Sequence, residues 1–246
     1  MDPWTALPLL FGVGVIAGAL NTIAGGGSFL TLPALIFLGL PAGVANGTNR
    51  IGVLVQSIVA TWSFDRHDLL DRHLAPWATV PALVGAAGGT SLALVVGDTA
   101  FERILAVLMV VISLISFYRP TPRDRPALGG GRRLALAMGF TLVGVYNGFV
   151  QAGAGFLILA ATTFAGLDLV RGNALKVFTV ACTTLLSLIL FALAGRVDWG
   201  LGLALAVGMS VGARLGARWT MRRGHRWVRA VVTVTVVVFA IRLWLA

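Results

Sequence analysis

Apolar runs of close to 20 residues, parted by short polar segments, set the terms on which this chain can fold. The long runs fall near 5–24, 44–64, 74–96 and 101–118, then near 134–151, 172–194, 199–217 and 228–245. Two shorter runs, 28–38 and 155–166, each follow a glycine cluster. About 20 apolar residues in a helix cross a hydrocarbon core of about 30 Å. Backbone inside lipid must satisfy its own polar groups, which this pattern does with helices. The expectation is an all-α, polytopic integral membrane protein, with broken helices at the glycine clusters. Charge fits that class: 58% of the 246 residues are hydrophobic and 11% charged, where a soluble domain carries about 25% charged residues. A cytosolic enzyme, a disordered regulator and a nucleic-acid module are excluded. The formal charge of +10 reflects arginines lying between apolar runs, which is membrane topology rather than a footprint for nucleic acid. Met1-Asp2-Pro3 lacks the basic start of a cleavable signal peptide. Cys182 stands alone, which excludes an internal disulfide, and is expected as a small apolar side chain.

The two halves repeat. A shift of 127 positions places Gly26 on Gly153, and Phe29, Leu30, Leu32, Ala34, Phe37, Gly39, Leu40 and Asn46 on Phe156, Leu157, Leu159, Ala161, Phe164, Gly166, Leu167 and Asn173. These are nine identities over the 25 positions 25–49, against roughly two or three by chance in so biased a composition. Later in the same register Phe64 falls on Phe191, Gly85 on Gly212 and Gly89 on Gly216. The expected division is a first membrane repeat over 1–118, a cytoplasmic linker over 119–133, and a second membrane repeat over 134–246.

Charge gives the orientation of the repeats. If the short segments cross, each half has five crossings, and 15 of the 19 basic residues lie on the linker side. Arg50, Arg103, Arg196 and Arg242 remain outside. If the short segments re-enter, the split is 9 against 10. The positive-inside rule selects the first arrangement. It predicts ten crossings, inverted repeats and both termini outside. A short helix of about 12 residues reaches only about 18 Å, so the glycine-rich chain must supply the rest, shielded by protein or lining a cavity.

Two constellations carry chemistry. The first is the pair of glycine clusters, Asn21 with Gly25, Gly26, Gly27 and Ser28, and Asn147 with Gln151, Gly153 and Gly155. Consecutive glycines break a helix, and Ser28 suits the N-cap of a helix restarting at Phe29. A half-helix starting inside the membrane offers free N–H groups and a positive dipole end, both suited to an anion. The competing reading is close helix packing through small residues. The second is Asn46-Gly47-Thr48-Asn49-Arg50, answered by Asn173 and Lys176. Polar groups so near long apolar helices need partners. Arg50 and Lys176 either draw an anion into two mouths or snorkel to the interface.

Other features read plainly. Gly85-x-x-x-Gly89 and Gly212-x-x-x-Gly216 are helix-packing faces. Arg214, Arg218 and Arg222 share one helical face and reach the cytoplasmic surface, or else line a vestibule for anions. His67, His73 and His225 lie in loops without metal-ligand spacing. All nine acidic residues fall in loops or at segment ends, so no acid pair is placed for hydrolysis. No catalytic residue, metal or cofactor is expected.

The order N-x(3)-GGGS-F-x(3)-P, then LGLP-x(3)-ANGTNR, with a second glycine cluster and an A-x-K segment in the second half, resembles the sulfite exporter TauE/SafE family, also described as toluenesulfonate uptake permeases. The resemblance covers about 10–245. By position it implies substrate-site roles for Asn21, Gly25, Gly26, Gly27, Ser28, Pro33, Asn46, Gly47, Thr48, Asn49, Gly153, Gly155 and Lys176. This chain carries Thr179 and Thr183 where many relatives carry asparagines. The resemblance implies a multi-pass permease of the inner (plasma) membrane for sulfite, sulfonates or related sulfur anions. The expected partners are a small anionic substrate and the lipid bilayer, with no nucleic acid; a homo-oligomer stays open. A secondary carrier is the leading expectation, an anion channel or another oxyanion carrier the alternative, an intramembrane enzyme the third.

Overall fold

The structure is a computed structural model that describes residues 3–23, 25–116, 130–164 and 166–222. The apolar runs within them all fold as helices, and the glycine clusters interrupt the helices where three-glycine and Gly-Ala-Gly stretches stand. In order they are α1 (Pro3–Ile23), α2 (Ser28–Phe37), α3 (Ala42–Asp65), α4 (Ala75–Val95), α5 (Asp98–Ser116), α6 (Gly130–Phe149), α7 (Ala154–Phe164), α8 (Leu169–Leu193) and α9 (Trp199–Arg222). There is no strand among the described residues, and the fold is all-α. Most of the linker and the run near 228–245 lie outside the described residues.

Local chemistry sets the boundaries. Asp168 caps α8, its side chain accepting from the backbone N–H of Val170 at 2.9 Å and of Arg171 at 3.1 Å. This starts α8 three residues before the apolar run. Ser28, by contrast, is not a cap. It is the first residue of α2, and Gly27 before it is already helical, with φ −61°. The Ser28 hydroxyl instead accepts from Asn49 Nδ2 at 3.4 Å.

Packing follows the repeat. The helix α1 of the first half packs on α9 of the second, and α4 of the first packs on α6 of the second. Exchanging α1 with α6 and α4 with α9 maps each pair onto the other, while α3 packs against its counterpart α8. Small residues make these contacts close. A Cβ added at Gly85 or Gly89 would meet the backbone carbonyls of Thr141 and Val145 on α6, and at Gly212 or Gly216 those of Val15 and Ala19 on α1. Both glycine pairs are packing faces.

The distribution of polarity is inverted relative to a soluble protein. Large apolar side chains face outward, among them Val80, Val84, Leu142, Leu193 and Leu203, while Asn46, Asn49, Arg50, Asn173 and Lys176 are buried. Such an exterior suits lipid. Three described helices, Ala75–Val95, Leu169–Leu193 and Trp199–Met221, are long and apolar enough to cross a membrane.

Candidate functional site

The two breaks touch. Gly25 has φ +89° and Gly153 has φ +74°, a backbone region open to glycine at little cost. A Cβ on Gly25 would fall on the backbone of Gly155, and one on Gly155 would fall on that of Gly25. Chain crosses chain here with nothing but backbone between. Phe29 and Phe156, equivalent under the repeat, stack beside the contact with ring centroids 6.4 Å apart. A Cβ on Gly153 would strike the Phe29 ring. A Cβ on Gly27 would strike the Ala17 carbonyl and Asn21, so that glycine closes α2 onto α1.

Four helix termini converge at the contact: the C-terminal ends of α1 and α6, and the N-terminal ends of α2 and α7. The C-terminal ends carry carbonyls without intrahelical partners. Each is met by a cation from the other half. Lys176 on α8 donates to the carbonyls of Asn21 at 3.0 Å and Thr22 at 2.9 Å, at the end of α1, and to Asn173 Oδ1 at 2.6 Å. Arg50 on α3 donates to the carbonyls of Asn147 at 3.3 Å and Gly148 at 2.5 Å, at the end of α6, and lies near Asn46 Oδ1 at 3.5 Å. Asn46 Nδ2 donates to the Phe149 carbonyl at 2.8 Å. The Arg50 guanidinium lies 4.8 Å from the centroid of the Phe191 ring.

Arg50 is 0% exposed and Lys176 2%. Neither snorkels and neither sits at a mouth; both are interior groups and leave the loop-charge tally. The tally of 15 against 4 then becomes 14 against 3, and its bias is kept.

The charge balance at this centre is one-sided. Two helix C-termini contribute about −0.5 each and two N-termini about +0.5 each, which sum to about zero. Arg50 and Lys176 add two positive charges. The ion pairs of the described residues, Arg72–Asp65, Arg171–Asp168 and Arg196–Asp98, involve neither of them. The described acids lie in the connection after α3, at helix ends or in the first turns of α5: Asp98 accepts from Gly43 N–H at 2.7 Å, and Asp198 from Leu201 N–H at 2.9 Å.

A narrow cavity lies against Lys176. Its polar walls are Asn21, Gln56, Ser57, Asn147, Gln151 and Lys176. Val53, Val177, Val180, Ala154 and Gly155 complete it. Its volume is about 10 Å³, room for a single water. Gln151 adopts φ +66° in the break, a conformation uncommon for a residue with a Cβ.

The residues singled out from the sequence therefore separate. Asn21, Asn147, Gln151, Gly155 and Lys176 line the cavity, Gly25 and Gly155 make the crossing, Gly153 faces the Phe29 ring, and Gly27 closes α2 onto α1. Gly26 accepts from Phe29 N–H at 3.1 Å within the first break. Asn46 and Arg50 hold the end of α6, and Asn173 accepts from Lys176. Asn49 braces the first turn of α2, accepting from Thr31 Oγ1 at 2.5 Å. Thr48 is remote from the cavity and accepts from Asp198 N–H at 2.9 Å, tying down the connection into α9. Gln56 and Ser57 were not anticipated. The repeat held their signal: the shift of 127 places them on Thr183 and Thr184, which accept from the side chains of Asn147 and Gln151.

Paired broken helices, a buried cationic centre and an apolar exterior define a helical membrane transporter. The family profile described as "Sulfite exporter TauE/SafE" matches residues 10–243. The chain belongs to that family. It is 32% identical over 240 residues to "Probable membrane transporter protein YfcA" of Escherichia coli K12, covering 96% of this chain and 89% of that protein. A "Probable membrane transporter protein" of Haemophilus influenzae is 30% identical over 233 residues, covering 93% and 90%. The "Probable membrane transporter protein ORF9" of a Sinorhizobium species is 30% identical over 240 residues, covering 96% and 92%. No solved structure matches the chain.

Proposed function

We propose that this protein is a secondary carrier of the inner membrane that exports small sulfur-containing anions, sulfite or sulfonates, through the centre where the two breaks meet. The observation that carries the reading is the charge balance. Two buried cations meet four helix termini whose dipoles cancel, and the ion pairs of the described residues include no carboxylate against either cation. A small anion is the natural counter-charge. Lys176 lines the cavity and offers that anion its charge; Arg50 contributes its field and holds the end of α6. The cavity is too small for an oxyanion of four or five heavy atoms, so binding requires the breaks to part. An occluded site that must open suits a carrier better than a continuous pore. The five-crossing repeats are inverted, with ten crossings, the linker 119–133 in the cytoplasm and Ala246 outside, which supports rocking of one half against the other. The test is a ligand-stabilisation screen of the purified protein against sulfite, sulfate, thiosulfate, taurine, sulfoacetate and phosphate. A rise in melting temperature with sulfite or a sulfonate supports the reading; stabilisation by phosphate alone, or by none of them, refutes it.

A further inference from the structure

Three side chains of the cavity, one on α3 and two around the second break, carry a feature that an anion site does not by itself require. Gln56 Oε1, Asn147 Oδ1 and Gln151 Oε1 are buried and have no hydrogen-bond partner. All three residues line the cavity. They are 1%, 1% and 4% exposed, respectively. Their amide nitrogens are committed elsewhere. Asn147 Nδ2 donates to Thr183 Oγ1 at 2.7 Å, and that hydroxyl donates in turn to the Thr179 carbonyl at 2.8 Å. Gln151 Nε2 donates to Thr184 Oγ1 at 2.6 Å, and Gln56 Nε2 to Ser57 Oγ at 3.1 Å. Each amide is thus anchored by its N–H face to a hydroxyl, and its oxygen, on a residue of the cavity wall, is left unmet. A buried acceptor left unpaired is costly, and an occupant that donates to it gains correspondingly.

Besides Asn21 and Ser57, the cavity wall therefore combines one cation with three unpaired acceptors. A fully deprotonated dianion would set its oxygens against amide oxygens and bring two charges to one lysine. An anion with a single charge and an N–H or O–H group of its own matches both halves of the site. Resting on the anion-carrier reading, we propose that this cavity selects monoanions that themselves carry a hydrogen-bond donor, such as a hydrogen-bearing oxyanion or an amino-substituted sulfonyl anion, over donor-free anions and dianions. Gln56, Asn147 and Gln151 are its specificity determinants. The charge of Lys176 attracts the anionic end while the three amide oxygens accept from the donor. A hydrogen-bearing oxyanion would bring its proton across as part of the substrate, without a titrating carboxylate in the cavity wall.

The experiment compares sulfamate with methanesulfonate. Both are tetrahedral monoanions with the same number of heavy atoms, and they differ in an amino group against a methyl group. Each is titrated calorimetrically into the purified full-length protein, and into the Gln56→Met variant. Sulfamate should bind at least about tenfold tighter than methanesulfonate, the effect of a donor meeting buried acceptors. In the variant the ratio should contract by about threefold with methanesulfonate affinity held or raised, because one acceptor of three is gone. Equal affinities in the unaltered protein, or tighter methanesulfonate, would overturn donor selection and leave the anion site standing. Binding of neither ion would overturn the anion site and this selectivity together. An unchanged ratio in Gln56→Met, with binding intact, would remove Gln56 from the determinants.

Discussion

Lys176→Met removes the cation that lines the cavity and keeps a side chain of similar length. Lys176 Nζ spends its three protons on Asn21 O, Thr22 O and Asn173 Oδ1, so two effects must be separated. For binding, a unit charge about 4 Å from a bound anion at an effective dielectric of about 20 contributes about 4 kcal/mol, or about a thousandfold in affinity. For stability, the lost hydrogen bonds leave three acceptors poorly met, while the cost of burying the ammonium disappears. These partly cancel and leave a net loss of about 1–2 kcal/mol. Arg50→Met is the matched control. It also strips a helix end, and it loses the Phe191 ring contact, yet Arg50 does not line the cavity. Its sulfite affinity should fall by less than about tenfold, while its stability falls by about 2–4 kcal/mol. Sulfite affinity by calorimetry, with melting temperature of the ligand-free protein in the same detergent, reads both quantities. Sulfite binding by Lys176→Met within about threefold of the unaltered protein would refute the assignment of the charge. Equal affinity losses in the two variants would show that the cations act only by holding helix ends.

Gly26→Val and Gly153→Val should each abolish transport while the protein still inserts, read by flux and by membrane yield. At Gly153 the added side chain meets the Phe29 ring and a left-handed backbone; normal flux in either variant would remove that break from the pathway. The orientation is testable by labelling. In a Cys182→Ser background, a cysteine near the C-terminus should react with an impermeant thiol reagent in intact cells while one at Gly130 is protected. The opposite pattern would reverse the topology.

Much of the fold was legible because hydropathy and glycine act locally. The runs near 44–64 and 74–96 became α3 (Ala42–Asp65) and α4 (Ala75–Val95) within two residues. The breaks fell at the glycine clusters, since no side-chain contact can restore a helix through Gly25-Gly26-Gly27. The N-cap at Asp168 was missed because apolar periodicity gives no weight to a capping carboxylate. What the sequence could not supply was the exchange between halves. Lys176 lies 155 residues from Asn21 in the chain and Arg50 lies 98 from Gly148. Hydropathy scores both cations as interface or loop charge, and only the crossing at Gly25 and Gly155 brings helix carbonyls to them. Thr48 shows the converse. Its neighbours in the ANGTNR segment hold the core, yet helical rotation turns its hydroxyl toward the backbone of Asp198.

Electrogenic release of sulfite from proteoliposomes tests the export mechanism most directly. An inside-negative potential contributes about 2.3 kcal/mol per charge per 100 mV, roughly a fiftyfold gradient for a monoanion. Vesicles loaded with sulfite and given a valinomycin-imposed potential, negative inside, should release it faster than vesicles at zero potential, and Lys176→Met vesicles should not. A pH gradient at zero potential should do little beyond changing the protonation of the anion. Release driven by the pH gradient and indifferent to voltage would contradict voltage-driven export through this cationic centre.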